Sequence, residues 1–410
     1  MRRPGAGLPR EVLVLTAVAF SVAVGFGVVA PALPIFAKQF GVDNTAAGAV
    51  ISAFAFMRLV SALGSGRLVN RLGERVILAT GIAIVAVSSA LAGLSQSYEQ
   101  LLLLRGIGGV GSAMFTVSAL SLLLRVVDAD QRGRATSMWQ SGFLLGAIAG
   151  PVIGGPLTDI SLRAPFFVYA ATLAVAGAIG MVFLTHTPLH DKEVAAQSHI
   201  KPTTLRRALR VSGYRAALLT NLGTGWALFG VRSSLIPLLV TEALGKSATW
   251  TGIGFFVSAA AQGALLVPAG RLADTVGRRP TMIIGSAVAT LSMGLLASFG
   301  SLGVYVLAMT LFGAASAFLA VGPSAAVGDV VEGRGGTVVA AFQMSSDLGA
   351  VVGPLVAGWL ADQYSFSAAF AATTGVLAVG LVAAIASRET RHQARPDPEP
   401  ETAPAPTPLT

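Results

Sequence analysis

Apolar residues in this chain are gathered into long runs, and the polar residues between them form short, often basic loops. A helix needs about 20 mostly apolar residues to cross a bilayer. Twelve runs meet that length: 11–37, 44–66, 76–95, 99–125, 135–157, 164–185, 212–240, 247–270, 281–299, 301–328, 335–361 and 365–387. The first run is too long for a signal peptide, holds Pro31 and Pro34, and is followed by no cleavage site before the second. It is a membrane span, and MRRPGAGLPR is its basic flank.

The runs repeat. Residues 66–75 (GRLVNRLGER) return as 270–279 (GRLADTVGRR), and 146–159 (GAIAGPVIGGPLTD) return as 349–362 (GAVVGPLVAGWLAD), an offset of 203–204 residues. A chain whose halves repeat both a loop and a membrane-depth motif is a duplicated bundle with its substrate path between the halves. The predicted fold is therefore an all-α membrane protein of twelve transmembrane helices in two pseudo-symmetric six-helix bundles. The bundles are 11–185 and 212–387, with a flank at 1–10, a polar connector at 186–211 and a Pro-rich tail at 388–410 that is expected to be disordered.

Alternate loops differ sharply in charge. One set carries 22 Lys and Arg, from Arg2 through Arg71, the connector and Arg279 to Arg395; the other holds only Lys38, Arg163 and Lys246. By the positive-inside rule both termini face the cytoplasm. The basic end of the connector, TTLRRALR, fits either a short amphipathic helix on the inner leaflet or a plain charged linker.

Composition narrows the class further. The chain is 54% hydrophobic and 11% charged, with mean hydropathy +0.73, where a soluble chain carries roughly a quarter charged residues. Without cysteine, disulfides, thiol catalysis and zinc–thiolate sites are excluded. The net charge of +9 sits in loops between spans rather than on a phosphate-binding face, so no nucleic-acid partner is expected. No phosphate-binding G-x-x-x-x-G-K-[ST] loop supports ATP drive. His186, His190, His199 and His392 fall in the connector or tail, and neither a metal nor a cofactor is expected. The Arg-rich, Lys-poor bias with abundant Ala and Gly points to a bacterial cytoplasmic membrane.

With these motifs in place, the chain resembles the major facilitator superfamily over residues 11–387, and in particular its proton-coupled drug-antiporter branch. The loops at 66–75 and 270–279, the Gly-Pro pattern of the fifth span, the first span GFGVVAPALPIFAKQFG and the fourth, LLLLRGIGGVG, carry the resemblance. It implies that the loop acid contacts a helix N-terminus of the opposite half and latches one conformation, a contact worth about 0.3–1 kcal/mol when exposed. Asp274 with Arg278 and Arg279 fits that latch; in the first half Asn70 and Arg71 stand there, and Asn70 lacks the charge. In the fifth span Gly146, Gly150 and Gly154 share one face, with Gly155 beside it and Pro151 and Pro156 bending the helix. The glycine face is expected to seal the seam between the halves, and the family associates this motif with exporters.

Ionisable residues inside spans are costly, and here they are few: Arg58, Arg105, Arg232 and Asp347. At the repeat offset Arg58 corresponds to Gln262, Arg232 to Val29 and Asp347 to Leu144, so a shared folding requirement does not explain them. In the fold the resemblance implies, spans 2 and 11 are neighbours, and depth then suggests that Arg58 reaches Asp347, as a static ion pair or as a site where Asp347 takes up and releases a driving proton; the remaining alternative is that the two make no contact. The resemblance links Arg105 to proton transfer, yet residues 12–37 hold no acid to partner it. Arg232, Trp226, Phe229, Asn221, Phe26 and Phe115 are candidate cavity residues, on spans of which 1, 4, 7 and 10 line the path. The function expected is transport, not catalysis: export of small amphipathic or drug-like molecules by proton antiport, from a rocking monomer. An importer or facilitator of sugars or organic acids is the alternative.

Overall fold

A computed structural model describes residues 8–127, 131–184, 203–298, 300–331 and 336–391. The histidines named above and the side chain of Asn70 lie outside that set. Twelve helices among the described residues are long and apolar enough to span a membrane. In chain order they are spans 1 to 6 at Arg10–Lys38, Asn44–Leu72, Glu74–Gly93, Tyr98–Val126, Arg132–Ile160 and Ala164–Phe183, and spans 7 to 12 at Ser212–Ala243, Ala248–Thr275, Arg278–Ser298, Leu302–Val330, Gly336–Gln363 and Phe366–Ala386. Each six packs chiefly on itself, and the halves meet where span 2 lies on span 11 and span 5 on span 8.

The duplication is visible in backbone detail. Positive φ occurs among the described residues only at glycines, and these form two pairs 204 residues apart: Gly41 with Gly245, and Gly73 with Gly277. Gly73 (φ 85°) and Gly277 (φ 140°) turn the two Gly/Arg loops through conformations other residues resist. Ser97 and Ser301, also 204 apart, cap spans 4 and 10 by accepting from the amides of Gln100 and Val304.

Spans 1 and 7 are not simple rods. Span 1 breaks at Ala30–Pro31, where proline cannot supply an amide to the helix ladder. Span 7 runs as α-helix Ser212–Thr224, π-helix Gly225–Val231, α-helix Arg232–Leu238 and π-helix Leu239–Ala243. Its first π segment begins where the backbone presses on span 11, since a Cβ on Gly225 would sit 1.9 Å from the carbonyl oxygen of Ser346. Sequence periodicity cannot register an inserted residue of this kind.

The seam between halves is closed at the end opposite the Gly/Arg loops. There the carboxylate of Asp362, closing span 11, accepts from the amides of Asn44 (2.9 Å) and Thr45 (2.8 Å) and from the Thr45 hydroxyl (2.6 Å), capping span 2. Its counterpart Asp159, closing span 5, accepts from Ala248 (2.7 Å) and Thr249 (3.0 Å) and from the Thr249 hydroxyl, capping span 8. Glycine lets the backbones touch below these caps: a Cβ on Gly252 would lie 2.5 Å from the Pro151 carbonyl oxygen, and one on Gly48 2.7 Å from that of Pro354. Lys38 and Glu242, at equivalent positions 204 residues apart, meet across the same end at 3.4 Å.

Toward the loop end, hereafter the basic end, the halves separate. Gly64 and Gly66 on span 2 and Gly270 on span 8 have no atom within 4 Å of where a side chain would begin. The chain is thus closed at one end and splayed at the other. Since a helix cap contributes about 1 kcal/mol, Asp362→Ala is expected to speed labelling of a single cysteine at Ser52→Cys by about fivefold. The chain has no other cysteine, so a membrane-impermeant maleimide checks this directly.

Candidate functional site

Arg58 is the central residue of its 29-residue helix, about 21 Å from either end at 1.5 Å per residue. It donates to Asp347 of span 11, so the mid-helix charges of spans 2 and 11 form one ion pair across the seam. Glycine packing from Gly48 and the hydroxyl of Ser52, which donates to the Val351 carbonyl at 2.7 Å, set the register that brings them together. Exposures of 34% for the Arg58 side chain and 19% for Asp347 mean that the pair is not fully enclosed by protein. It sits where the closed part of the seam gives way to the open part.

The other two in-span arginines have no carboxylate partner among the described residues. Arg105 is buried in the first half with its guanidinium 4.4 Å from the centre of the Phe54 ring. Arg232 stacks on Phe255 at the same distance in the second half. In each case the Nε lies buried without a hydrogen-bond partner. Ring faces take over part of the role of a counter-ion, a cation–π contact worth about 2 kcal/mol when desolvated.

At the basic end the second-half loop turns inward on its own bundle. Arg278 binds Asp274 at 3.1 Å and Asp329 of span 10 at 3.0 Å, while the Asp274 side chain is 76% exposed. Asp274 therefore makes no latch to the first half in this conformation. Arg279 donates to the Ile385 carbonyl at 2.7 Å. Glu389 accepts from the amides of Arg278 (2.9 Å) and Arg279 (3.0 Å) and caps span 9. Burial pushes the Glu389 carboxyl up, but the amides of Arg391, Arg278, Arg279 and Thr390 outweigh it and hold it below the usual carboxylate range. Residues 388–391, expected to begin a disordered tail, are instead part of the folded bundle.

The first-half loop reads differently once its partner is seen. Glu74, which breaks the arginine pattern of the loop, binds Arg125 of span 4 at 3.0 Å and accepts from Ser121 at 3.2 Å. Glu74 and Arg125 lie 204 residues before Arg278 and Asp329, so the same ion pair is present in both halves with its charges exchanged. The sequence contained this signal, since Asp329 stands at the repeat position of Arg125.

Two expectations are corrected by packing. Gly146, Gly150 and Gly154 do not face the seam: they lie against Phe20, Ala23, Val24 and Val28 of span 1 in their own half. Gly155, against Ala248 and Thr249, is the motif glycine at the seam, with Pro151 presenting its carbonyl there; Pro156 lies one step further along the same helix. Among the cavity candidates, Trp226 is buried and donates to Thr373 at 3.2 Å, Asn221 donates to the Phe342 carbonyl at 2.7 Å, and Phe115 is buried against Phe143. These three tie helices together within a half. Phe26 and Phe229 are exposed.

The helix caps Asp159 and Asp362 were the residues sequence reasoning passed over. Each ends one copy of the fifth-span motif, and Thr45 and Thr249 stand at matching repeat positions, so the pattern was present.

Two helical bundles related by duplication, closed at one end and holding an ion pair at mid-depth, define a membrane transporter of the two-bundle class. The sequence profile of the Major Facilitator Superfamily matches residues 15–256 and 218–410, and the chain belongs to that family. It is similar to Multidrug resistance protein MdtG of Proteus mirabilis (strain HI4320), 26% identical over 380 residues that cover 88% of this chain and 92% of that one. Quinolone resistance protein NorA of Staphylococcus aureus (strain MRSA252) is 30% identical over 183 residues, 44% of this chain and 46% of that one. Among solved structures, a POT family transporter in complex with 5-aminolevulinic acid shares the fold at TM-score 0.76 and 13% identity, over 93% of this chain and 96% of that one. A bacterial homolog of the human lysosomal transporter Spinster does so at TM-score 0.75 and 14% identity, over 91% and 95%.

The exchanged ion pair gives a direct test. Arg125→Ala leaves Glu74 buried without its cation and is expected to destabilise by about 1–3 kcal/mol. The double variant Glu74→Arg/Arg125→Asp copies the second half and should recover most of what either single change loses. Thermal unfolding in detergent, analysed as a double-mutant cycle, measures the coupling.

Proposed function

We propose that this protein exports small amphipathic or drug-like molecules across a bacterial cytoplasmic membrane, driven by inward proton flow. The observation that carries this reading is the Arg58–Asp347 pair, a partly exposed ion pair at mid-helix that joins the two halves. An intramembrane ionisable pair of this kind is the usual mark of an ion pathway. Likeness to the multidrug and quinolone resistance proteins supports efflux as the direction and drug-like molecules as the cargo.

The positive-inside rule puts the basic end in the cytoplasm, so the conformation described is open inward. Solute then enters between the halves, near Phe26 and Phe229, from the cytoplasm or inner leaflet. A proton on Asp347 removes the charge that holds Arg58 across the seam; its release restores the hold. Binding of solute and proton at the seam thereby favours different arrangements of the same two bundles. In this reading Asp274, exposed here, meets the opposite half when the basic end closes and the other end opens.

Everted membrane vesicles given a pH gradient and a panel of fluorescent amphipathic drugs test the proposal. Uptake should require the gradient and collapse with a protonophore. Asp347→Asn should lower gradient-driven uptake by about tenfold or more, equivalent to about 1.4 kcal/mol, while solute binding in detergent persists. The double variant Arg58→Gln/Asp347→Leu takes the residues of the symmetry-related positions and should fold; if it still pumps against a pH-driven gradient, the pair is structural and the proton site lies elsewhere.

A further inference from the structure

A surface cavity of about 670 Å³ lies at the basic end of the second half. It is framed by the short helix Leu205–Ala208, the start of span 7, the end of span 10 and the segment that follows span 12. Arg210, Arg215, Arg388 and Arg391 line it, together with Asp329 and Glu389. Both acids are already engaged. Asp329 holds Arg278 and accepts from the Thr390 hydroxyl at 3.1 Å, and Glu389 is taken up in capping span 9. Arg391 donates to the Thr275 carbonyl. The side chains of Arg210, Arg215 and Arg388 pair with no described residue.

Folding therefore gathers three uncompensated cations around a cavity whose carboxylates are occupied. Cations held together repel, and an anion among them reverses the sign of that energy. Guanidinium forks match phosphate oxygens two at a time, and here the lining carboxylates are already engaged elsewhere. The volume exceeds what an inorganic phosphate fills. Val211 and Val330 also line the cavity and give it an apolar border. A basic pocket between helix ends with an apolar border suits a ligand with a phosphate head and a hydrocarbon tail.

We propose that this cavity binds a phosphate-bearing anion and that its resident is the headgroup of an anionic phospholipid in the leaflet at the basic end. The site rests on the membrane placement of the bundle and is independent of which solute is carried or which ion drives it. By bridging Arg210 beside the short helix, Arg215 on span 7 and Arg388 beyond span 12, the headgroup ties the entry of the second half to its exit.

The full-length protein in neutral detergent provides the test, read as its thermal unfolding midpoint with added phosphatidylglycerol, phosphatidylcholine or inorganic phosphate. Phosphatidylglycerol should raise the midpoint by about 4 °C near saturation, and phosphatidylcholine should not. The rise should vanish in Arg210→Gln/Arg215→Gln/Arg388→Gln and survive in Arg67→Gln/Arg71→Gln/Arg271→Gln, which removes equal charge elsewhere at the same end. An equal rise with phosphatidylcholine, or a rise that persists in the first triple variant, overturns the proposal. A rise with inorganic phosphate that matches phosphatidylglycerol and is lost in that variant keeps the phosphate site but rejects the lipid as its resident. Should the triple variant not fold, native mass spectrometry replaces it. One phosphatidylglycerol retained by the wild type and lost from Arg215→Gln supports the site, and equal retention refutes it.

Discussion

The two carboxylates that cap helices of the opposite half, Asp159 and Asp362, are what the rest of the structure hangs on. Lipid tails are as apolar as leucine, so no hydrophobic force presses one bundle against the other. What remains is backbone contact, allowed by Gly48 and Gly252, and the satisfaction of amides that a helix leaves unpaired at its N-terminus. Each carboxylate takes three donors at once. These bonds are available only when the halves are aligned, and water can replace them when they part. Such an interface is firm yet reversible, which a greasy one of equal area would not be.

Closure at one end decides what the mid-depth charges experience. Arg58 and Asp347 lie beyond the Gly48 and Ser52 contacts, and the pair is only partly enclosed by protein. Arg105 and Arg232 lie deeper, each against a ring, with no acid to respond to. The four in-span charges thus divide into one pair that senses the relative position of the halves and two cations fixed within them. Breaks in spans 1 and 7, one at Pro31 and one at the π segment from Gly225, give each half a first helix that is bent rather than straight.

Much of this was legible in the chain. Runs of apolar residues set the spans, because a bilayer imposes length and composition together, and the repeat offset set the two halves. The Arg58–Asp347 encounter was suggested by their depths once spans 2 and 11 were taken as neighbours in the expected fold. What escaped was whatever depends on neighbours. The glycines at 146, 150 and 154 share a face, but nothing in a one-dimensional pattern says whether that face meets span 1 or the seam. Trp226, Asn221 and Phe115 have the chemistry of a binding site and spend it on internal hydrogen bonds and packing. The first π segment of span 7 begins at the close approach of Gly225 to span 11, which periodicity does not record. Asp159, Asp362 and the exchanged pair of Glu74 with Arg125 were written in the repeat but needed a second residue to give them meaning.

Lys38 and Glu242 hold a further implication. They occupy the same position in the two copies and meet each other near the axis that relates them. In a twofold dimer of identical half-chains, each such residue would face its own twin, lysine against lysine or glutamate against glutamate. Neither half can therefore pair with another copy of itself without opposing like charges at this contact. Divergence at this one position therefore favours pairing between the two different halves of one chain over pairing of like halves.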